Sequence, residues 1–347
     1  MSDNSLDALV PLGWNDRVGA LYSEIDSPGL RPGRVVRVER SACVVATPDG
    51  HVLAGAEVLP AVGDWVGVEV ADGQGALRGV VERWSAVTRQ DPGGDRVQLL
   101  AANVDIVLIT TPADRPSAAR VERESVIAWE SGARPIVVVT KVDVDGATYV
   151  EELRDRLIGL DVVATSSATG EGISALAGAL QPCLTAVLLG PSGSGKSTLA
   201  NALLGSDELA TAVVREGDHR GRHTTTSRQL VVLPRGGVLI DTPGLRSLGL
   251  WGDGAGMDAA FADIAELAAG CRFADCRHER EPGCAVIAAV EAGDLDPDRL
   301  TSYRKLEREL AFERRRADPI ERQAVQRRWK TIHKEQRRRY RATGRDR

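Results

Sequence analysis

GPSGSGKST, running from Gly190 to Thr198, is the stretch on which the fold turns. It has the form G-x-x-x-x-G-K-S, with Gly190, Gly195, Lys196 and Ser197 at the fixed places. The preceding TAVLL (Thr185 to Leu189) reads as a short buried strand. In the following KSTLANALLG, Leu199 and Leu203 stand four apart and Gly205 closes the run, the pattern of a helix with an apolar stripe and a glycine stop. A glycine-rich turn between strand and helix gathers backbone N–H groups around one point. The helix N-terminus adds its partial positive charge there, so the cavity suits the phosphates of a nucleotide. The candidate cradle is Gly190, Pro191, Ser192, Gly193, Ser194, Gly195, Lys196, Ser197 and Thr198. Lys196 is predicted to reach the β- and γ-phosphates, and the Ser197 hydroxyl is a natural Mg²⁺ ligand.

Downstream, GVLIDTPG (Gly237 to Gly244) is an apolar strand ending in Asp-x-x-Gly. It points Asp241 at the magnesium shell and leaves the Gly244 N–H for the γ-phosphate. Upstream, PIVVV runs into Thr140-Lys141-Val142-Asp143. A carboxylate at Asp143 can accept from both N1–H and the 2-amino group of guanine, a pair adenine does not offer, while the Lys141 stem lies along the base. Thr140 stands where this motif usually has Asn, a departure expected to weaken one supporting contact while leaving the discriminating Asp143. The loop Ser166-Ser167-Ala168 is expected to touch the guanine O6 through its backbone. In Ras-like GTPases the phosphate loop comes first and the base-reading motifs last, whereas here positions 140 and 166 precede 190. That is a circularly permuted order. It leads DTPG straight into the C-terminal region, so nucleotide state is expected to move that region directly. GRHTTTS (Gly221 to Ser227) falls where the first switch belongs, and among Thr224, Thr225 and Thr226 we choose Thr225 as the magnesium ligand. Leu245 follows Gly244 where a water-orienting Gln is usual, so slow intrinsic hydrolysis is expected, with His223 as the nearest side chain able to position water.

The flanks differ in kind. Between about 31 and 90, five short β-rich pieces separated by Pro, Gly and Asp turns suggest a small barrel, most simply an OB-fold. Residues 1–30 read as a loose arm, and Asp91-Pro92-Gly93-Gly94-Asp95 as a linker into a GTPase domain at 95–252. Alternating strands and helices there predict a mostly parallel sheet covered on both faces. From 253 to 347 the chain reads as helical. It carries C-x4-C-x-H-x5-C at Cys271, Cys276, His278 and Cys284, three thiolates and one imidazole suited to a closed structural zinc site. The net charge of −5 over 347 residues conceals a basic end: Arg299 to Arg347 holds 18 Lys or Arg against 7 Asp or Glu. Such lopsidedness suggests a nucleic-acid partner. No apolar run is long enough to span a bilayer and no signal core is visible, so a cytoplasmic chain is expected.

Taken with GDWV (Gly63 to Val66), AANVD (Ala101 to Asp105), GRHTTT and EPGCAV (Glu281 to Val286), these features resemble the RsgA (YjeQ/YloQ) family over about residues 30–315. The resemblance implies an N-terminal OB-fold, a central circularly permuted P-loop GTPase domain and a C-terminal helical zinc-binding domain. It further implies GTP hydrolysis stimulated by the small ribosomal subunit, ribosomal RNA and assembly factors as partners, one Zn²⁺, and Mg²⁺ with GTP. A monomer is expected. The rival reading is a non-hydrolysing RNA-binding checkpoint that senses GTP and GDP.

Overall fold

The computed structural model describes residues 6–39, 41–55, 60–90, 97–144, 147–181, 183–205, 228–241, 248, 250 and 254–317. Five strands, β1 (Leu30–Val38), β2 (Ala42–Thr47), β3 (Gly50–Gly55), β4 (Trp65–Ala71) and β5 (Gln74–Val80), form the barrel anticipated from the sequence. β1 pairs with β2, β2 with β3, β3 in parallel with β5, β5 with β4, and β4 back with β1. The ring therefore closes without a free edge, which is what short strands too small for a sandwich require. Val35, Cys43, Val45, Ala54, Val66 and Val68 fill it.

The segment expected to be a loose arm is packed. A 3-10 turn (Asp7–Leu12) and helix α1 (Asp16–Tyr22), capped by Asn15 Oδ1 accepting from Val18 N at 3.1 Å, lie against the barrel. Leu9, Val18 and Tyr22 bury against Trp65 and Val81, so apolar burial holds a stretch whose turn formers suggested freedom. β6 (Ala86–Gln90) and β7 (Val97–Ala102) are antiparallel partners, and the linker expected at Asp91 to Asp95 lies outside the described residues.

The central sheet follows. β8 (Ile106–Pro112), helix α2 (Ala118–Glu130), β9 (Arg134–Thr140), α3 (Ala147–Arg156), β10 (Asp161–Ala164), α4 (Ile173–Ala179), β11 (Thr185–Leu189) and α5 (Lys196–Leu204) alternate, then β12 (Gln229–Val232) and β13 (Val238–Asp241) form an antiparallel pair. Across the sheet the order is β10-β9-β8-β11-β13-β12, parallel except at β12. The bridge Arg37↔Gln229 joins β12 to β1, so barrel and sheet are continuous. Arg34, 1% exposed, ties them further. Its guanidinium donates to Leu12 O, to Gly63 O at 3.3 Å and to Thr185 Oγ1 at 2.8 Å, and burial pushes its pKa down to about 10.

The C-terminal helices are α6 (Ala255–Ala260), α7 (Ala262–Ala268), α8 (Ala285–Ala292) and α9 (Pro297–Ala317). They dock on α2. A Cβ at Gly256 would stand 2.5 Å from the Val126 carbonyl oxygen, so only glycine allows this crossing. Glu130 Oε1 accepts from Gly254 N and Gly256 N at 2.9 and 3.2 Å, and Glu122, 1% exposed, receives both Arg156 and Arg299. Among the described residues no helix is long and apolar enough to cross a membrane.

Candidate functional site

The phosphate cradle is assembled at the C-terminal end of the fully buried β11. Gly190, Gly193 and Gly195 adopt φ of 148°, 78° and 88°, left-handed values that close the turn. A Cβ on Gly190 would lie 2.3 Å from Thr110 Oγ1, which makes glycine obligatory. Thr110 Oγ1 donates to Leu189 O at 3.0 Å and sits 2.7 Å from Ser194 Oγ, so one hydroxyl from β8 pins the loop on both sides. Lys196 Nζ donates to Gly190 O and Pro191 O at 2.8 and 2.6 Å, which holds its charge beside the loop. Ser197 and Thr198 are exposed at the start of α5.

The motifs expected to read the base converge on the same end of the sheet. Thr140 closes β9, and its Oγ1 donates to Ser194 O at 2.8 Å. The short hydroxyl side chain at this position thus ties the end of β9 to the glycine-rich loop. Lys141 takes a left-handed φ of 60° and its Nζ donates to Asp114 Oδ2 at 2.9 Å. That hydrogen bond holds the Asp114 carboxyl below the usual carboxylate range. Asp143 is exposed in the turn Val142–Val144. Val142 N donates to Thr165 O at 3.3 Å and Thr165 N to Val139 O at 2.7 Å, which brings residues 166–168 alongside 140–143. The buried Ser166 accepts from Thr169 N at 3.2 Å and turns the loop so that Ser167 and Ala168 stand exposed.

Asp241 ends β13, one residue past the Val187↔Ile240 register with β11, at the same edge as the cradle. His223, Thr224, Thr225, Thr226, Gly244 and Leu245 lie outside the described residues, as does the basic tail beyond Ala317.

The second cluster is built on one tight loop. The ligand atoms of Cys271, Cys276, His278 and Cys284 all lie within 4.8 Å of one another. Cys271 Sγ is 3.8 Å from Cys284 Sγ and 3.6 Å from His278 Nδ1, which is 3.4 Å from Cys284 Sγ. A tetrahedron around zinc, with Zn–S of about 2.3 Å and Zn–N of about 2.0 Å, has edges of about 3.8 Å between sulfurs and about 3.5 Å between sulfur and nitrogen. The group is compatible with zinc. His278 reaches it through a left-handed φ of 58°, and Cys284 also caps α8 by accepting from Ile287 N.

Sequence reasoning passed over Thr110, Asp114 and Arg115 because none falls in a motif. The available signal was the turn Pro112-Ala113-Asp114-Arg115-Pro116 directly after a buried strand, at the sheet edge where ligands gather in such folds.

A profile described as RsgA GTPase matches residues 80–251. The "Small ribosomal subunit biogenesis GTPase RsgA" of Streptomyces avermitilis is 46% identical, covering 94% of this chain and 92% of the relative. The protein of the same name from Streptomyces coelicolor is 47% identical over 89% of this chain and 88% of the relative. The crystal structure of YjeQ from Thermotoga maritima superposes with a TM-score of 0.62 at 28% identity, covering 81% of this chain and 99% of that one. That of YloQ, a circularly permuted GTPase, gives 0.60 at 24% identity over 81% and 95%, a likeness of fold.

Proposed function

The chain belongs to the RsgA family of small ribosomal subunit biogenesis GTPases, and on that premise we propose that it hydrolyses GTP slowly alone and faster when docked on the small subunit, whose late maturation it assists. The convergence of Thr140–Asp143, Ser166–Ala168 and the phosphate loop at one sheet end, tied by the Thr140–Ser194 bond, carries this reading.

Asp143 reads the guanine edge, and Lys141 lies along the base. Lys196 exchanges the Gly190 and Pro191 carbonyls for the β- and γ-phosphates, a favourable swap because phosphate oxygens carry full charge. Ser197, Asp241 and Thr225 hold the magnesium ion, which neutralises charge on the phosphates. The Gly244 N–H meets the γ-phosphate, and His223 positions water when the chain is docked on the small subunit. Cys271, Cys276, His278 and Cys284 hold a structural zinc that fixes the C-terminal loop. The barrel and the zinc region with its basic tail grip ribosomal RNA, and turnover releases an assembly factor.

The test is GTP hydrolysis by the purified chain, alone and with isolated small subunits, with ATP in parallel. A slow basal rate that rises many-fold only with subunits and GTP is expected. Tight GTP binding without stimulation would refute it in favour of a non-hydrolysing sensor.

A further inference from the structure

We propose that Arg115 is a catalytic residue for this reaction: an arginine supplied by the same chain that contacts the nucleotide phosphates across the loop at Gly193 and stabilises the charge that builds there during hydrolysis. The proposal rests on the GTPase reading above.

The turn that carries Arg115 is fixed to both halves of the site. Ala113 N donates to Thr140 O at 2.9 Å, Arg115 N donates to Pro112 O at 3.1 Å, and Asp114 is held by Lys141. Pro116 follows, which biases Arg115 toward an extended backbone and limits where its side chain can start. From there the guanidinium reaches the phosphate loop: its Nη2 lies 3.3 Å from where a Cβ on Gly193 would stand. Gly193 is a left-handed residue in the middle of the cradle, flanked by the N–H groups that face a bound phosphate.

The guanidinium is also available. Its side chain is 67% exposed, and its contact with Asp114 is long, at 3.9 Å. That carboxylate already takes a 2.9 Å hydrogen bond from Lys141. A polyphosphate offers more charge and several oxygens to a five-donor fork, so it displaces so loose a contact. The reaction has a need for it. As water attacks the γ-phosphorus, the bond from phosphorus to the bridging oxygen breaks. The electron pair stays on the departing GDP, and the proton of water leaves with inorganic phosphate. Negative charge therefore grows on the bridging and β-phosphate oxygens, beside the cradle. Leu245, in the place of a water-orienting Gln, has no polar group for any of this. Arg115 gives and takes no proton; its part is electrostatic.

The experiment compares the wild-type chain with Arg115→Ala and Arg115→Lys, at saturating small subunits. It measures kcat and KM for GTP, the Kd for GDP, and the Kd for GDP with aluminium fluoride, which mimics the transferring phosphoryl group. Arg115→Ala should lower kcat by about 10³-fold and weaken the aluminium fluoride complex in proportion. Affinity for GDP alone should stay within about threefold, and Arg115→Lys, with charge but no fork, should fall between. An unchanged kcat in Arg115→Ala overturns the proposal. So does a loss of GDP affinity with kcat intact, which makes Arg115 a ground-state contact. No turnover by the wild-type chain with subunits brings down the GTPase reading itself, and this proposal with it.

Discussion

Replacing Arg299 by Met should loosen the C-terminal helices from α2 while leaving the nucleotide-binding sheet intact. Arg299 is 3% exposed at the side chain and makes a two-pronged pair with Asp263, Nε to Oδ2 at 2.6 Å and Nη2 to Oδ1 at 2.7 Å. It also donates to Glu122 Oε1 at 3.2 Å and to Ala260 O at 3.0 Å, and lies 4.6 Å over the Phe261 ring. Methionine keeps the stem's packing and removes the charge, stranding the Asp263 carboxylate. Removing one partner of a buried pair costs about 3–5 kcal/mol. The lower end applies, since Glu122 keeps Arg156 at 2.7 Å and Asp263 sits toward the rim. A loss of about 3 kcal/mol is close to a 100-fold change in an opening equilibrium. Hydrogen exchange reads it directly: amides of 255–268 and 297–310 should exchange about 100-fold faster, and those of β8, β9 and β11 should not change. Adding Glu122→Gln to Arg299→Met should cost less than the sum of the two separate effects, because the pair shares one network. A change below about fivefold in the C-terminal amides would refute the idea that this buried pair clamps the region.

Three further outcomes follow from the site. Thr140→Val keeps the shape but leaves the buried Ser194 carbonyl without its donor, a cost of about 1–3 kcal/mol, so GDP affinity should fall by about 10-fold in a fluorescent-nucleotide titration. Cys284→Ser removes a ligand and the α8 cap together. Metal analysis should show about one zinc per wild-type chain and less in the variant, and equal zinc in both would count against the four-ligand site. Glu124 on α2 has its pKa raised from 4.5 to about 7, chiefly by burial, with Arg120 and Lys196 opposing. The folded state therefore binds this proton more tightly than the unfolded chain. The stability it confers is full below about pH 4.5 and lost as pH rises through about 7. Glu124→Gln removes that slope, so its stability relative to wild type should improve by up to about 3 kcal/mol between pH 4.5 and 8, measured by denaturant unfolding at each pH. An identical pH dependence in both proteins would contradict the burial argument.

The sequence by itself determined the chemistry-bearing parts. The glycine-rich turn before α5 and the Cys3His loop are each written within a few consecutive residues, because neighbouring backbone groups and ligands must meet without help from elsewhere. Strand and helix alternation was legible for the same reason, and so was the permuted order. Long-range pairing decided the rest. Whether Asp7–Tyr22 packs or dangles depends on Trp65 and Val81. Thr140 could be seen to replace Asn, but that its hydroxyl spans to Ser194 depends on a loop 54 residues away. Arg34 meets Thr185 across 151 residues, and Arg299 meets Glu122 across 177. A charged residue looks much the same in sequence whether solvent or a distant partner will satisfy it. Only the closed fold, by removing water from around Arg34, Glu122 and Arg299, makes those partners obligatory.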